Sequence, residues 1–172
     1  MSSSTESKQT SREFKDNLQL LMHLPMLSGL PLEPLKLLAY LCRRQIFRAG
    51  QFIFHQEDLD PNAYLILSGR ALLMLEDPRE LDLVEMGEMT FVGGLSLFCE
   101  MKRIYALKAL TDVATLTLSR EKFQKTLEQY PNIGPRIFEA TARTIIRWET
   151  HFVREHLSQC SECRNRMQIP PT

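Results

Sequence analysis

The sequence predicts a mainly β domain flanked by helices, of roll or jelly-roll (double-stranded β-helix) type, with a long helix at its C-terminal end. Three observations carry that expectation. Between Arg43 and Ser119 the chain breaks into short runs rich in Ile, Leu, Phe, Val and Thr, punctuated by Gly50, Asp58 to Asn62, Gly69, Asp77 to Arg79 and Gly87. Short strands with frequent turn signals are the pattern of an all-β barrel or roll. On either side of that region the apolar residues fall at helical spacing instead. A chain of 172 residues, 44% of them apolar, holds one domain, or one domain with an appended element, around a sizeable core.

The elements follow in order. Residues 1–11, "MSSSTESKQTS", are polar and predict a mobile tail. Phe14, Leu18, Leu21 and Leu24 then share one face of a helix. "PLEPLKLLAYLC" predicts a second, short helix, with Pro31 and Pro34 at its start, where a missing N–H costs nothing. "RQIFRAGQFIFHQED", "AYLILSGRALLML", "ELDLVEM" and "ALKALTDVATLTLS" supply the strands. Gly50 and Gly69 suit turns that need positive φ. Ser119 is an N-cap candidate for the helix "REKFQKTLEQY", which Pro131 ends. The last helix is expected from about Asn132 to Cys163, with Pro135 tolerated in its first turn. The organisation expected is a tail over 1–11, a β domain with its N-terminal helices over 12–130, a long helix over 131–163 and a short tail over 164–172.

Composition narrows the function. The formal net charge is zero, so the chain lacks the basic surplus of a nucleic-acid-binding module. No apolar run is long enough to cross a membrane, and the N-terminus lacks the apolar segment of a signal peptide. A cytoplasmic setting is expected, with the cysteines reduced and Cys42 and Cys99 as buried thiols. The four histidines are scattered and no nucleophile motif appears, so no catalytic residue and no enzymatic activity are expected.

The long helix carries two apolar rows. Phe138, Thr141, Ile145, Trp148 and Phe152 step by three and four residues, and Ala142, Ile146, Val153 and Leu157 lie beside them. One stripe covers a helix's own domain, whereas two suggest a second surface with coiled-coil stepping, hence a homodimer. The alternative is a helix buried on a wide face of its own monomer. Near its end, His156, Cys160 and Cys163 share one face. Cys-x-x-Cys is a redox and metal spacing, and a two-fold would bring two such pairs together around one zinc. Exposed thiols without further role, a redox pair and a dimer-bridging zinc are all compatible with that spacing.

Two helices, a β region, a short helix and a long one form a layout similar to that of the cyclic nucleotide-binding domain, as in the catabolite activator-like regulators. "FRAGQFIFHQEDLDPNAYLILSGRALLML" (Phe47 to Leu75) resembles the opening of that family's roll, and "FVGGLSLFCEMKRIYALKAL" (Phe91 to Leu110) resembles its phosphate-binding cassette. The resemblance covers roughly Leu18 to Phe152. It implies that backbone N–H groups of Gly93, Gly94, Leu95 and Ser96 face a bound anion, and that Arg103 pairs with its phosphate. It also implies departures. Gly94 stands where the family's ribose-holding Glu belongs, Ile104 and Tyr105 stand where small residues follow the Arg, and the lead-in "GEMTFVGG" is longer by about two residues. Loss of a charge-assisted acceptor is worth about 1.5–3 kcal/mol, or roughly ten- to hundredfold in affinity.

Only nine residues follow Cys163, too few for a DNA-binding helix-turn-helix, so direct DNA binding is not expected. The function expected is a non-enzymatic sensory or regulatory module that binds a small anionic ligand, a cyclic nucleotide being the family's, weakly or not at all. It signals through a dimeric C-terminal helix to a protein partner the sequence does not identify. Two other readings stand beside it. One is a ligand-free interaction and dimerisation module. The other is a redox or metal sensor acting through Cys160 and Cys163.

Overall fold

The structure, a computed structural model, describes residues 3–76 and 81–159. Among the described residues, eight strands form two four-stranded antiparallel sheets, with helices before and after them. Helices α1 (Ser3–Met22) and α2 (Leu32–Leu41) precede the strands. The strands are β1 (Arg43–Phe47), β2 (Phe52–Phe54), β3 (Asn62–Ser68), β4 (Ala71–Leu75), β5 (Leu81–Met86), β6 (Phe91–Val92), β7 (Ala106–Ala109) and β8 (Val113–Ser119). Helix α3 (Arg120–Gln129), a 3-10 turn (Pro131–Ile133) and helix α4 (Gly134–Gln159) follow the strands. One sheet runs β1-β8-β3-β6 and the other β2-β7-β4-β5. This is the roll expected from the strand-and-turn texture.

Two cores hold it. Strand β3 is buried on both faces, and its alternation sorts residues between them. Ala63 and Leu65 face α1, α2 and α3, joining Leu27, Leu38, Leu116, Leu118, Phe123 and Ile137. Tyr64 and Ile66 face the roll's interior with Ile53, Phe54, Leu73, Leu107 and Val113. The first core docks the helices and the second closes the sheets on each other. The cassette residue Leu97 belongs to the helical core and is fully buried there.

The turn glycines behave as their composition predicts. Gly50 and Gly69 take φ of 86° and 88°. At Gly69 no side chain fits, because a Cβ would overlap the backbone carbonyl oxygen of Asp112.

Several expectations need correction. The polar stretch expected as a tail is helical from Ser3, because it continues the turns that Phe14 and Leu18 anchor against the helical core. Ser119 does occupy the N-cap of α3, but its side chain makes no capping hydrogen bond; the Arg120 N–H donates to the Pro61 carbonyl instead. Cys99 is exposed, not buried, because it lies just past the 3-10 turn of the cassette, and Cys42 is only half-buried. Apolar surroundings push the Cys42 thiol up to about 12, against a smaller opposing pull from Lys122. Cys160 and Cys163 lie outside the described residues, as does the side chain of His156. Among the described residues no group of His, Cys, Asp and Glu could hold a metal ion.

Candidate functional site

The site is built around Arg103. It lies between the cassette and the roll's interior, and it is 4% exposed. A Lys-Arg pair beside a turn is more often a solvated surface feature, and here the two residues part. Lys102 is exposed and pairs with Glu57 at 2.8 Å, whereas Arg103 turns inward. The backbone decides this. Arg103 donates its N–H to the Asp58 carbonyl (2.9 Å) and accepts from the Glu57 N–H (2.8 Å), so the loop after β2 grips it on both sides. Glu57 reaches that position only with φ of 68°, an uncommon conformation for a residue with a side chain.

The guanidinium is fixed on three sides. Its Nη2 donates to Asp60 Oδ2 at 2.7 Å and to the Asn62 carbonyl. Its carbon lies 4.3 Å from the centre of the Phe54 ring, a cation–π contact. Its third side abuts Gly93, which takes φ of 78°. A Cβ at Gly93 would strike Nη1, so glycine is required there by space as well as by backbone conformation.

Asp60 is the second centre, and it was not singled out in the sequence. Besides Arg103 it accepts from the Tyr64 hydroxyl (3.0 Å), the Asn62 N–H (3.1 Å) and Asn62 Nδ2 (2.6 Å). Burial pushes the Tyr64 phenol well above its ordinary range, and the Asp60 carboxylate pushes it further the same way. In the sequence Asp60 reads as one more turn residue in "DLDPN". The signal available was an Asp before Pro and two residues before a strand, a placement suited to an Asx turn.

The remaining expected residues are brought together. Gly94, Leu95, Ser96 and Leu97 form a 3-10 turn after Gly93. Gly93, Gly94, Leu95, Ser96 and Arg103, with Met101, Ile104 and Tyr105, line one pocket of about 170 Å³. Pockets that enclose whole organic ligands are ordinarily about 300–1,000 Å³. Leu95 and Ile104 stand at the rim, 48% and 68% exposed, so neither plugs the roll as their bulk suggests; Leu97 and Phe98 do the packing. Burial raises the Tyr105 phenol, partly offset by Arg103. Two polar atoms of residues that line it are fully buried without a protein hydrogen-bond partner: Ser96 Oγ and Arg103 Nε.

Gly94 has a packing reason. A Cβ there would come within 2.7 Å of Phe91 Cε1. The Phe91 ring thus occupies the space into which a side chain at position 94 would begin.

The family model for the cyclic nucleotide-binding domain matches residues 44–130, half of the chain. The chain belongs to the cyclic nucleotide-binding domain family. Among curated proteins it is 28% identical over 147 residues to the cyclic AMP receptor protein of Thermus thermophilus, covering 83% of this chain and 66% of that protein. It is 31% identical over 97 residues to lysophospholipase NTE1 of Chaetomium globosum, covering 55% of this chain but 6% of that enzyme. The chain thus spans a small fraction of the lysophospholipase and about two-thirds of the receptor protein. Among solved structures it resembles the N-terminal domain of a transcriptional regulator from Streptomyces coelicolor, with a TM-score of 0.67 and 27% identity over 74% of this chain and 93% of that one. The fold is therefore that of a family regulatory domain. Among the described residues no helix is long and apolar enough to cross a membrane.

The expected dimer face lies on α4. Ile137 docks its first turn in the helical core, and Thr141 is half-buried. Phe138 is already 71% exposed in the second turn, and beyond Arg143 Ile145, Ile146, Trp148 and Val153 are 41%, 59%, 63% and 50% exposed. The side chain of Phe152 lies outside the described residues. Among the described residues of these rows, Phe138, Ile145, Ile146, Trp148 and Val153 are thus largely exposed, whereas Thr141 and Ala142 are half-buried.

Proposed function

We propose that this chain is a non-enzymatic regulatory module whose cassette takes a small anion at Arg103 and Ser96, binds cyclic nucleotides weakly or not at all, and reports through α4. The observation that carries the reading is the packing of Phe91 against Gly94. The ribose-holding acidic side chain that the family places there is absent, and the Phe91 ring stands in its path. Arg103 is retained, but Asp60 already balances its charge. The test is isothermal titration of the full chain with cyclic AMP and cyclic GMP. Dissociation constants of tens of micromolar or weaker are expected, and sub-micromolar binding of either nucleotide would sink the proposal.

The output is a homodimer through α4, which then meets a protein partner. The exposed apolar rows support this, since patches of this kind mark association surfaces. Trp148 is the anchor, because large aromatics dominate such interfaces. Trp148→Glu should yield a folded monomer. Light scattering that finds the wild-type chain monomeric at about tens of micromolar, where a standard-sized interface is populated, would dispose of the dimer.

A further inference from the structure

The cation of the cassette is held back from its pocket. Arg103 is 4% exposed, whereas Leu95 and Ile104 at the rim are 48% and 68% exposed, so the surface a ligand meets is apolar. What holds Arg103 is the loop after β2. The Glu57 N–H donates to the Arg103 carbonyl, and the Arg103 N–H donates to the Asp58 carbonyl. From there Nη2 reaches Asp60 and the Asn62 carbonyl, and in this position Nε has no protein hydrogen-bond partner. The other cation at the cassette, Arg120, donates from Nε to the Ser96 carbonyl at 2.8 Å and so engages the backbone of the turn.

That loop is itself latched, on the side away from Arg103. Just past β4, Glu76 grips Gln56 in both directions: the Gln56 N–H donates to Glu76 Oε2 at 2.7 Å, and the Glu76 N–H donates to Gln56 Oε1 at 2.8 Å. The other carboxylate oxygen of Glu76 lies 2.9 Å from His55 Nδ1. The His55 ring stacks on Phe52 of β2 at 4.1 Å, and its N–H donates to Asp58 Oδ2 at 2.8 Å. Burial works against ionisation of Glu76, but the hydrogen bonds from His55 and Gln56 outweigh it and hold the carboxyl below its ordinary value. Glu57 follows directly with φ of 68°, a conformation that persists in a residue with a side chain only where its surroundings impose it. The latch on one side and Arg103 on the other are those surroundings.

Resting on the reading of the cassette as an anion site, we propose that residues 55–58 form an autoinhibitory strap with Glu76 as its catch. Latched, the strap keeps the Arg103 backbone where its guanidinium reaches Asp60 and not the pocket. Released, Glu57 and Asp58 let go of the Arg103 backbone, and the guanidinium is free to meet an anion at the cassette. Glu76 touches no ligand; it acts through Gln56 and His55 and is a positioning residue. A ligand that needs the released form binds with an affinity reduced by the fraction of molecules released. Loss of one hydrogen bond shifts such a fraction by about two- to tenfold, so weakening the latch should strengthen anion binding by that factor.

The test compares the 15N-labelled full chain with Glu76→Ala and Glu76→Gln, by amide hydrogen exchange and by titration with inorganic phosphate. Glu76 is partly exposed, so both variants should fold. In Glu76→Ala the amides of Glu57 and Arg103, which donate within the strap, should exchange about two- to tenfold faster relative to Leu65 and Ile66 of β3. Glu76→Gln keeps an acceptor for the Gln56 N–H and should lie nearer wild type. Phosphate, followed by the amides of Gly94 to Leu97, should bind Glu76→Ala about two- to tenfold more tightly than wild type, where a merely structural role for Glu76 would leave affinity equal or lower. The proposal is overturned if exchange at Glu57 and Arg103 is unchanged, if it quickens only as much as in β3, or if phosphate binds Glu76→Ala no more tightly than wild type. Failure of the anion reading itself looks different: exchange quickens in the strap, yet phosphate moves the cassette amides of neither protein, and the proposal falls with it.

Discussion

Removing the Asp60 carboxylate should cost this domain more than any surface change. Asp60→Ala leaves the Arg103 guanidinium 4% exposed and without its counter-charge. Breaking a buried pair by deleting one partner costs about 3–5 kcal/mol, because the remaining charge stays desolvated. Two features set where this case falls. Arg103 keeps its bond to the Asn62 carbonyl and its contact with Phe54, which favours the lower end. Tyr64 also loses the acceptor for its hydroxyl, which adds about 1 kcal/mol. The expected loss is about 3–4 kcal/mol, or roughly 6–16 °C in Tm for a chain of this size. Urea unfolding followed by circular dichroism, with calorimetry beside it, measures both. The double variant Asp60→Ala/Arg103→Met isolates the cause: with no charge left to desolvate, it should be more stable than Asp60→Ala alone. A loss below about 1 kcal/mol, or a double variant no better than the single one, would refute the view of Arg103 as a buried cation held by Asp60.

Gly69→Ala should destabilise by more than the roughly 1–2 kcal/mol of a left-handed conformation, because its Cβ would also overlap the Asp112 carbonyl; a thermal melt within 1–2 °C of wild type would contradict this. Cys99 should be alkylated by iodoacetamide at pH 8 well before Cys42, whose thiol is pushed up to about 12 and is scarcely ionised there; mass spectrometry finding Cys42 modified first would overturn that order. The Tyr64 phenol is raised above its ordinary value of 10.0, so the folded state holds that proton more tightly than the unfolded chain does. Its contribution is present below pH 10 and is lost as pH rises further, so Tyr64→Phe should flatten the alkaline fall in stability, and an unchanged slope would show that other groups cause it.

Periodicity alone determined the class of this protein. The runs from Arg43 to Ser119, the glycines at 50 and 69 and the helical spacing at both ends are local signals, and each describes conformations that neighbouring residues impose on one another. The cassette was legible for the same reason: its glycines, its hydroxyl and its Arg lie within a dozen residues. The inward turn of Arg103 was not, because it depends on carbonyl and N–H groups of Glu57 and Asp58 contributed from another loop. Asp60 was hidden likewise, as its role exists only when the loop before β3 meets the segment before β7. Gly94 read as a missing acid in the sequence, and only the structure shows that a side chain there would have to displace the Phe91 ring. Local order is written along the chain. The site is made by residues distant in sequence, whose contacts form only when the two sheets close.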